Sequence, residues 1–354
     1  MKISRYILAS LSIAAALFVQ GCTKNQENTA ATGASLSFTV STKSVTPGDG
    51  ILADGGAMTD IVVVSVSTAD NMVDGMKYVS LATPEVETTC TLTELTFGPH
   101  ELYLYANTDG FQNIYPDMPT LKAKAQAADK NFSFAAYKEA VFTSLTAGNL
   151  PAIANGQMPL TTVVKDINLS IGTTNVSVEF TRPFVKLTVN IYNKSEKTAE
   201  VDGVNFSAFN ASTSYVFDHF PYVSNYTPTV SYLAMPNGVN RTIAPRSSQT
   251  VFEGLLYENR LSHDTSGGRY KMGFHVAYTE GGTVLAEKTL TDLVFQQIKE
   301  ATETAPMLRM LRNNHITVDV YVDYLPVDDP DTANIVLEYV VNPWGTAGGS
   351  VIFN

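Results

Sequence analysis

The chain has 354 residues, of which 44% are hydrophobic and 16% charged, and its formal net charge is −11. That length fills two domains of ordinary size, each with enough apolar residues for a core. No cluster of Lys or Arg follows the first few residues, so nucleic acid and anionic lipid surfaces are poor partners for a body of this charge.

The chain begins with Lys2 and Arg5, followed by an apolar run from Ile7 to Val19 broken only by small residues. The run is shorter than the ~20 residues a spanning helix needs, so residues 1–21 read as a secretion signal. Cys22 follows the small Gly21 and precedes polar Thr23-Lys24-Asn25-Gln26, a junction that resembles the lipobox of bacterial lipoproteins. The resemblance implies that the Cys22 thiol is acylated and that Cys22 becomes the first mature residue. Each buried acyl methylene contributes about 0.8 kcal/mol, so several chains on one cysteine hold permanently. Cys90 is then the remaining thiol, which leaves no internal disulfide. Residues 22–35 are polar and without period, as in a tether.

From Leu36 the pattern changes. Leu36, Phe38 and Val40 alternate with Ser37, Thr39 and Ser41, which places the apolar side chains on one face of a strand. A turn-rich segment from Thr46 to Gly56 follows, then strand-like runs Asp60–Ser67, Val86–Leu95 and Glu101–Ala106, the last after the turn at Gly98-Pro99. Within Thr88–Leu95, Cys90 alternates with Leu92 and reads as a small buried residue. The Ala-rich residues 121–146 predict a helix that Gly148 and Pro151 end. The second block begins near Val163, and the boundary falls at 168, giving domains 36–168 and 169–327. Its strand-like runs are Val176–Phe180, Phe184–Ile191, Val201–Phe209, Val230–Leu233, Gln249–Tyr257, Tyr270–Tyr278 and Ile316–Tyr324, with a short amphipathic helix over Thr291–Thr302. Short strands separated by Gly, Pro, Asn and Asp turns predict an all-β protein, a β-sandwich in each block with a few short helices.

Beyond the turn Asp328-Asp329-Pro330-Asp331, residues 328–354 form an extended tail. It carries Ile335 to Val341, then Pro343-Trp344-Gly345, and ends with Ser350 to Phe353. A β-prone apolar segment left open at a terminus pairs readily with another chain.

These pieces together resemble the fimbrillin superfamily, lipoprotein precursors of type V pili. The likeness rests on the lipobox at Cys22, the Ser-rich first strand ending in Thr42-Lys43, and Gly98 to Asn107 with its Leu-Tyr-Leu-Tyr-Ala-Asn ending. It rests also on Met158-Pro159-Leu160, Arg182 to Val189, Phe252 to Asn259, Arg312-Asn313-Asn314-His315 and the terminal Asn342-Pro343-Trp344. The resemblance implies two transthyretin-like β-sandwich domains and assembly by strand exchange. A precursor carried to the outer membrane on its lipid loses its first strand to a surface protease, and the vacated groove takes an extended segment of the next pilus subunit. Mapped here, the removable strand is Leu36, Phe38 and Val40. The donor is the C-terminal tail, with Ile335, Leu337, Tyr339 and Val341 on one face, helped by Trp344 and by Val351 to Phe353. Such head-to-tail contact does not close and builds a filament. The family's best-known processing protease cuts after Arg, yet no Arg lies between Arg5 and Arg182; Lys43 is the basic residue near the expected cut.

Rival functions remain open at this level. His100, His219, His263, His275 and His315 show no metal-ligand spacing and no Gly-rich phosphate loop follows a strand, so neither catalysis nor a cofactor is expected. Asp328, Asp329 and Asp331 are either a solvated turn or part of a calcium site. An uncleaved subunit would be an anchor or accessory lipoprotein. A glycan- or peptide-binding lipoprotein would use exposed aromatics, for which Tyr222 and Tyr226 are candidates.

Overall fold

The computed structural model describes residues 33–42, 56–143, 157–207, 214–218, 232–233, 241–260, 270–300, 303–306 and 309–324. Strands dominate, as the turn-punctuated apolar runs predict. The apolar side chains gather in two cores.

Seven strands form the first sandwich: β1 (Ala34–Thr42), β2 (Met58–Ser67), β3 (Val73–Glu85), β4 (Glu87–Leu95), β5 (Gly98–Ala106), β6 (Leu160–Leu169) and β7 (Thr173–Phe180). One sheet has the order β4-β1-β7 and the other β3-β2-β5-β6. The β2 strand is buried on both faces because its sheet is covered twice. On the side away from β1, Tyr103 and Tyr105 pack on Phe134, Phe111 and Phe217. Alternation turns their neighbours Leu102 and Leu104 to the other side, toward β4-β1-β7.

The helical stretch is shorter and earlier than the Ala-rich run suggests. It breaks into α1 (Met118–Ala127) and α2 (Ala135–Lys138). Asp117 caps α1 by accepting from the Thr120 N–H at 2.8 Å, and Ala128 ends it in the left-handed region. The Ala composition sets helix propensity, but these caps set the limits.

The second sandwich contains β8 (Phe184–Asn193), β9 (Thr198–Ser207), β10 (Ser247–Tyr257), β11 (Lys271–Glu280), β12 (Thr283–Val294) and β13 (His315–Val322). Its sheets run β10-β8-β13 and β9-β11-β12, with short strands Tyr232–Leu233 and Arg241–Ile243 beside β9. The helix expected over Thr291–Thr302 is not formed. Residues up to Val294 continue β12, with Leu293 opposite Met272 and Val294 opposite Lys271, and Gln296–Glu300 is a further strand. In so short a window a period of two and a period of 3.6 look alike, and the ladder to β11 decides between them.

The two sandwiches repeat one topology. β1 lies between β4, antiparallel, and β7, parallel. β8 lies between β10, antiparallel, and β13, parallel. Each sandwich therefore puts its first strand in the middle of a three-stranded sheet and its last strand alongside it. The strand directions also name the ends. β1 and β7 run toward the junction, where Thr181-Arg182-Pro183 leads into β8, and β8 and β13 run away from it.

The junction is packed. Phe142, Phe184 and Tyr257 form a ring cluster with centroids 5.2–5.8 Å apart. Ser214-Tyr215, a segment from the second half of the chain, pairs with Val141-Phe142, and the Val216 N–H donates to Ala140 O at 2.8 Å. Phe217 follows and sits among the first core's tyrosines, 5.0 Å from the Tyr103 ring and 4.8 Å from Tyr105. Arg312, 7% exposed at its side chain, donates to Tyr215 O and Val216 O at 2.9 Å each and to Glu258 at 2.6–2.7 Å.

Candidate functional site

The strand that the sequence marks as removable is the best-defined candidate. Ala34, Leu36 and Val40 are fully buried and Phe38 is 1% exposed, while the residues between them are partly open to solvent. Strict alternation produces this: one face enters the core, and the other presents Ser35, Ser37, Thr39 and Ser41.

Both edges of β1 are used. Leu36 faces Leu92 of β4, Phe38 faces Cys90 and Val40 faces Thr88; on the other side the same three face Thr174, Val176 and Val178 of β7. The ends are tied by the Ser35 N–H to Gly172 O at 3.1 Å and by the Thr42 N–H to Val86 O at 2.9 Å. Near the first end the register slips between Ala34 and Leu36, opposite Glu94 with its φ of 59°. At the mouth of the slot a Cβ on Gly33 would stand 2.8 Å from Glu94 Cα, so glycine suits the close approach there. The tips of two flanking turns at this mouth carry exposed apolar side chains, Phe97 and Ile171.

The slot cannot stand empty. Burial of Leu36, Phe38 and Val40 contributes roughly 1.5–3 kcal/mol each. Loss of the middle strand of three would also strand the facing N–H and C=O rows of β4 and β7 with no sheet partner. The slot is lined mostly by apolar side chains, and burial pushes the Cys90 thiol up, so it is protonated and unreactive beneath β1. On the opposing sheet the Ser65 side chain lies on the face of Gly75 against which Leu95 and Leu92 of β4 pack, and its Oγ has no hydrogen-bond partner among the described residues.

Of the other residues singled out by sequence, Cys22, Lys43, Ile335, Leu337, Tyr339, Val341, Trp344, Val351 and Phe353 lie outside the described residues. So do Asp328, Asp329 and Asp331, the pair Tyr222 and Tyr226, and His219 and His263. Among the described residues no group of three His, Cys, Asp or Glu is placed to hold a metal ion. No helix among them is long and apolar enough to cross a membrane.

The dispersed pieces that carried the resemblance meet in two places. Asn107, which closes Leu-Tyr-Leu-Tyr-Ala-Asn in a left-handed conformation, donates from Nδ2 to Met158 O at 2.8 Å and to Ala57 O at 3.0 Å. Its Oδ1 accepts from the Thr59 N–H at 2.8 Å. Next to it the buried Asp60 accepts from the Thr108 N–H at 2.7 Å, from the Thr108 hydroxyl, and from Lys122 at 3.0 Å. The remaining pieces, Arg182 to Val189, Phe252 to Asn259 and Arg312 to His315, converge on the junction. There Arg182 donates to Asn313 Oδ1 at 3.2 Å, the Asn313 N–H donates to Phe184 O, and Arg312 holds Glu258. These segments are scaffold, and none lines the slot. Sequence reasoning missed β7 as the second flank of the slot, because a parallel partner far along the chain leaves no local signal.

No family model and no curated protein matches the sequence. Solved structures do match. A fimbrilin (fimA) from Porphyromonas gingivalis W83 is similar over 88% of this chain and 98% of its own, with a TM-score of 0.53 and 15% identity. The tip fimbrial protein Mfa3 from Porphyromonas gingivalis, solved with a C-terminal truncation, is similar over 88% of this chain and 99% of its own, with a TM-score of 0.51 and 13% identity. At such identities the likeness speaks for architecture, and on that ground the chain has the fold of the fimbrial proteins that the fimbrillin resemblance predicts.

Proposed function

We propose that the chain is a structural subunit of a surface pilus that polymerises by strand exchange. The precursor is lipidated at Cys22 and carried to the outer membrane. A surface protease cuts near Lys43, β1 leaves, and the tail of another subunit, residues 328–354, takes its place. The observation that supports this reading most is the position of β1. Among the described residues it is the first strand and leads into the rest of its sandwich only from its Thr42 end, yet it is the middle of its sheet. Its counterpart β8 is continuous with the fold at both ends and is not removable in this way. Backbone pairing along β4 and β7 would give an incoming strand sequence-independent affinity, while the pockets of Leu36, Phe38 and Val40 would set its register. The fold shared with a fimbrilin and a tip fimbrial protein is in keeping with the proposal.

The test compares the chain from residue 22, with Cys22→Ser and cut at Lys43, with the same chain ending at residue 327. The longer chain should form a ladder of oligomers on size-exclusion chromatography, and the shorter one should stay monomeric with an unchanged melting temperature before the cut. A ladder from the truncated chain, or monomer from both after cutting, would falsify the proposal.

A further inference from the structure

We infer, resting on the strand-exchange reading, that the incoming tail lies in the slot in the direction of β1 and in one register, with Leu337, Tyr339 and Val341 in the places of Leu36, Phe38 and Val40. The apolar face of β1 reads Leu, Phe, Val at alternate positions, and that of the tail reads Leu, Tyr, Val at the same spacing and in the same order. Two pockets receive an identical side chain, and the third receives a phenol in place of a phenyl ring.

The ends of the slot favour the same polarity. In this register Pro343 falls on Thr42, whose N–H donates to Val86 O, so the new ladder ends at Asn342. Trp344 then falls just beyond the strand, on the side of Val86, an apolar residue 60% exposed. Reversed polarity about the central pocket would set Pro343 on Ala34 and Trp344 on Gly33. A Cβ there would stand 2.8 Å from Glu94 Cα, so either polarity needs a shift at that point, a small one for the Asn334 of the chosen polarity and a large one for an indole. The chosen polarity brings Asn334 and Ile335 to that mouth instead, ahead of the first matched pocket, where Phe97 and Ile171 give an apolar rim.

The strand directions agree. β13 runs away from the junction and the described chain ends just past it at Tyr324, at the far end of the second sandwich. The slot opens at the far end of the first sandwich and runs toward the junction. Copies set head to tail thus bring Tyr324, the last described residue, toward the mouth of the next slot, after a strand that runs in the same sense as β1 requires of its replacement.

The test uses pairs of full-length chains with Cys22→Ser and Cys90→Ala, both cut at Lys43, mixed and mildly oxidised. One partner carries Glu87→Cys, at the exposed position opposite Ser41. The other carries Asn342→Cys, Val336→Cys or Val340→Cys. Disulfide geometry demands close Cα atoms, so the Asn342→Cys pair should link at least about tenfold more than the other two. Preferential linking through Val336→Cys means reversed polarity, and linking through Val340→Cys means a shift by two residues; either overturns the inference while leaving strand exchange standing. Monomer throughout, with no link in any mixture, overturns strand exchange and the inference together.

Discussion

His100 and Asp74 together tie two sheets near the mouth of the slot. The His100 ring is buried, with Nε2 2.9 Å from Asp74 Oδ2 and Nδ1 3.0 Å from Gly98 O. A carbonyl only accepts, and so does an ionised carboxylate, so both contacts are satisfied together when both ring nitrogens carry a proton. Asp74 also accepts from the Thr96 N–H at 2.8 Å, which ties the end of β4 to β3 across the sandwich. Burial works against both charges. The hydrogen bonds outweigh it, holding the His100 pKa above the ordinary histidine value and the Asp74 carboxyl below the ordinary carboxylate value. The His100 contribution to stability is therefore full below about pH 6.5 and lost as pH rises through the raised folded-state pKa. The Asp74 contribution is present above its ordinary pKa and lost as pH falls through the depressed one. Urea titrations from pH 6 to 9 should show the wild type losing stability as pH rises, and His100→Gln should remove that slope. Parallel slopes in the two proteins would place the loss elsewhere.

β1 is held by its pairing on both edges and by the side chains it buries. Phe38 is the largest side chain it buries, directly opposite Cys90. Phe38→Ala should cost about 3–5 kcal/mol by denaturant unfolding, since a phenyl-sized hole in a close-packed core cannot collapse fully. Cys90 reports on the same site: a maleimide should leave it unmodified in the intact chain and label it when β1 is released, whereas rapid labelling of the intact chain would mean that the slot is already open. The inner face of this element was legible because period-two alternation needs no partner to be seen in Leu36, Phe38 and Val40. What lies against it was not. The parallel pairing with Thr173–Phe180 and the plug of Ser214 to Phe217 in the first core depend on contacts between residues far apart in the chain. Over Thr291–Thr302 the composition allowed a helix, and only the cross-strand contacts of Leu293 and Val294 exclude it.

At the scale of the molecule, the strand-exchange proposal links a subunit at one end through its slot and at the other through its tail, which puts the load on the junction. The ring cluster of Phe142, Phe184 and Tyr257 supplies contact area there, but it has no directional bonds. Arg312 supplies them, joining the second sandwich to the backbone of Tyr215 and of Val216, the latter a residue of the first core. Its guanidinium also answers Glu258, 10% exposed, so its removal takes a close cation from that carboxylate and one donor from each of two carbonyls, while the Thr161 hydroxyl still donates to Val216 O at 3.1 Å. Loss of one partner from a buried pair costs about 3–5 kcal/mol, most of it from the charge left behind. Arg312→Met keeps the apolar stem and removes the bonds. Calorimetry of the wild type should show one cooperative transition, and the variant should show two, with the sandwiches melting separately. A single unshifted transition in Arg312→Met would mean that the aromatic cluster alone couples the sandwiches. In that case Phe184→Ala, and not the arginine, should separate them.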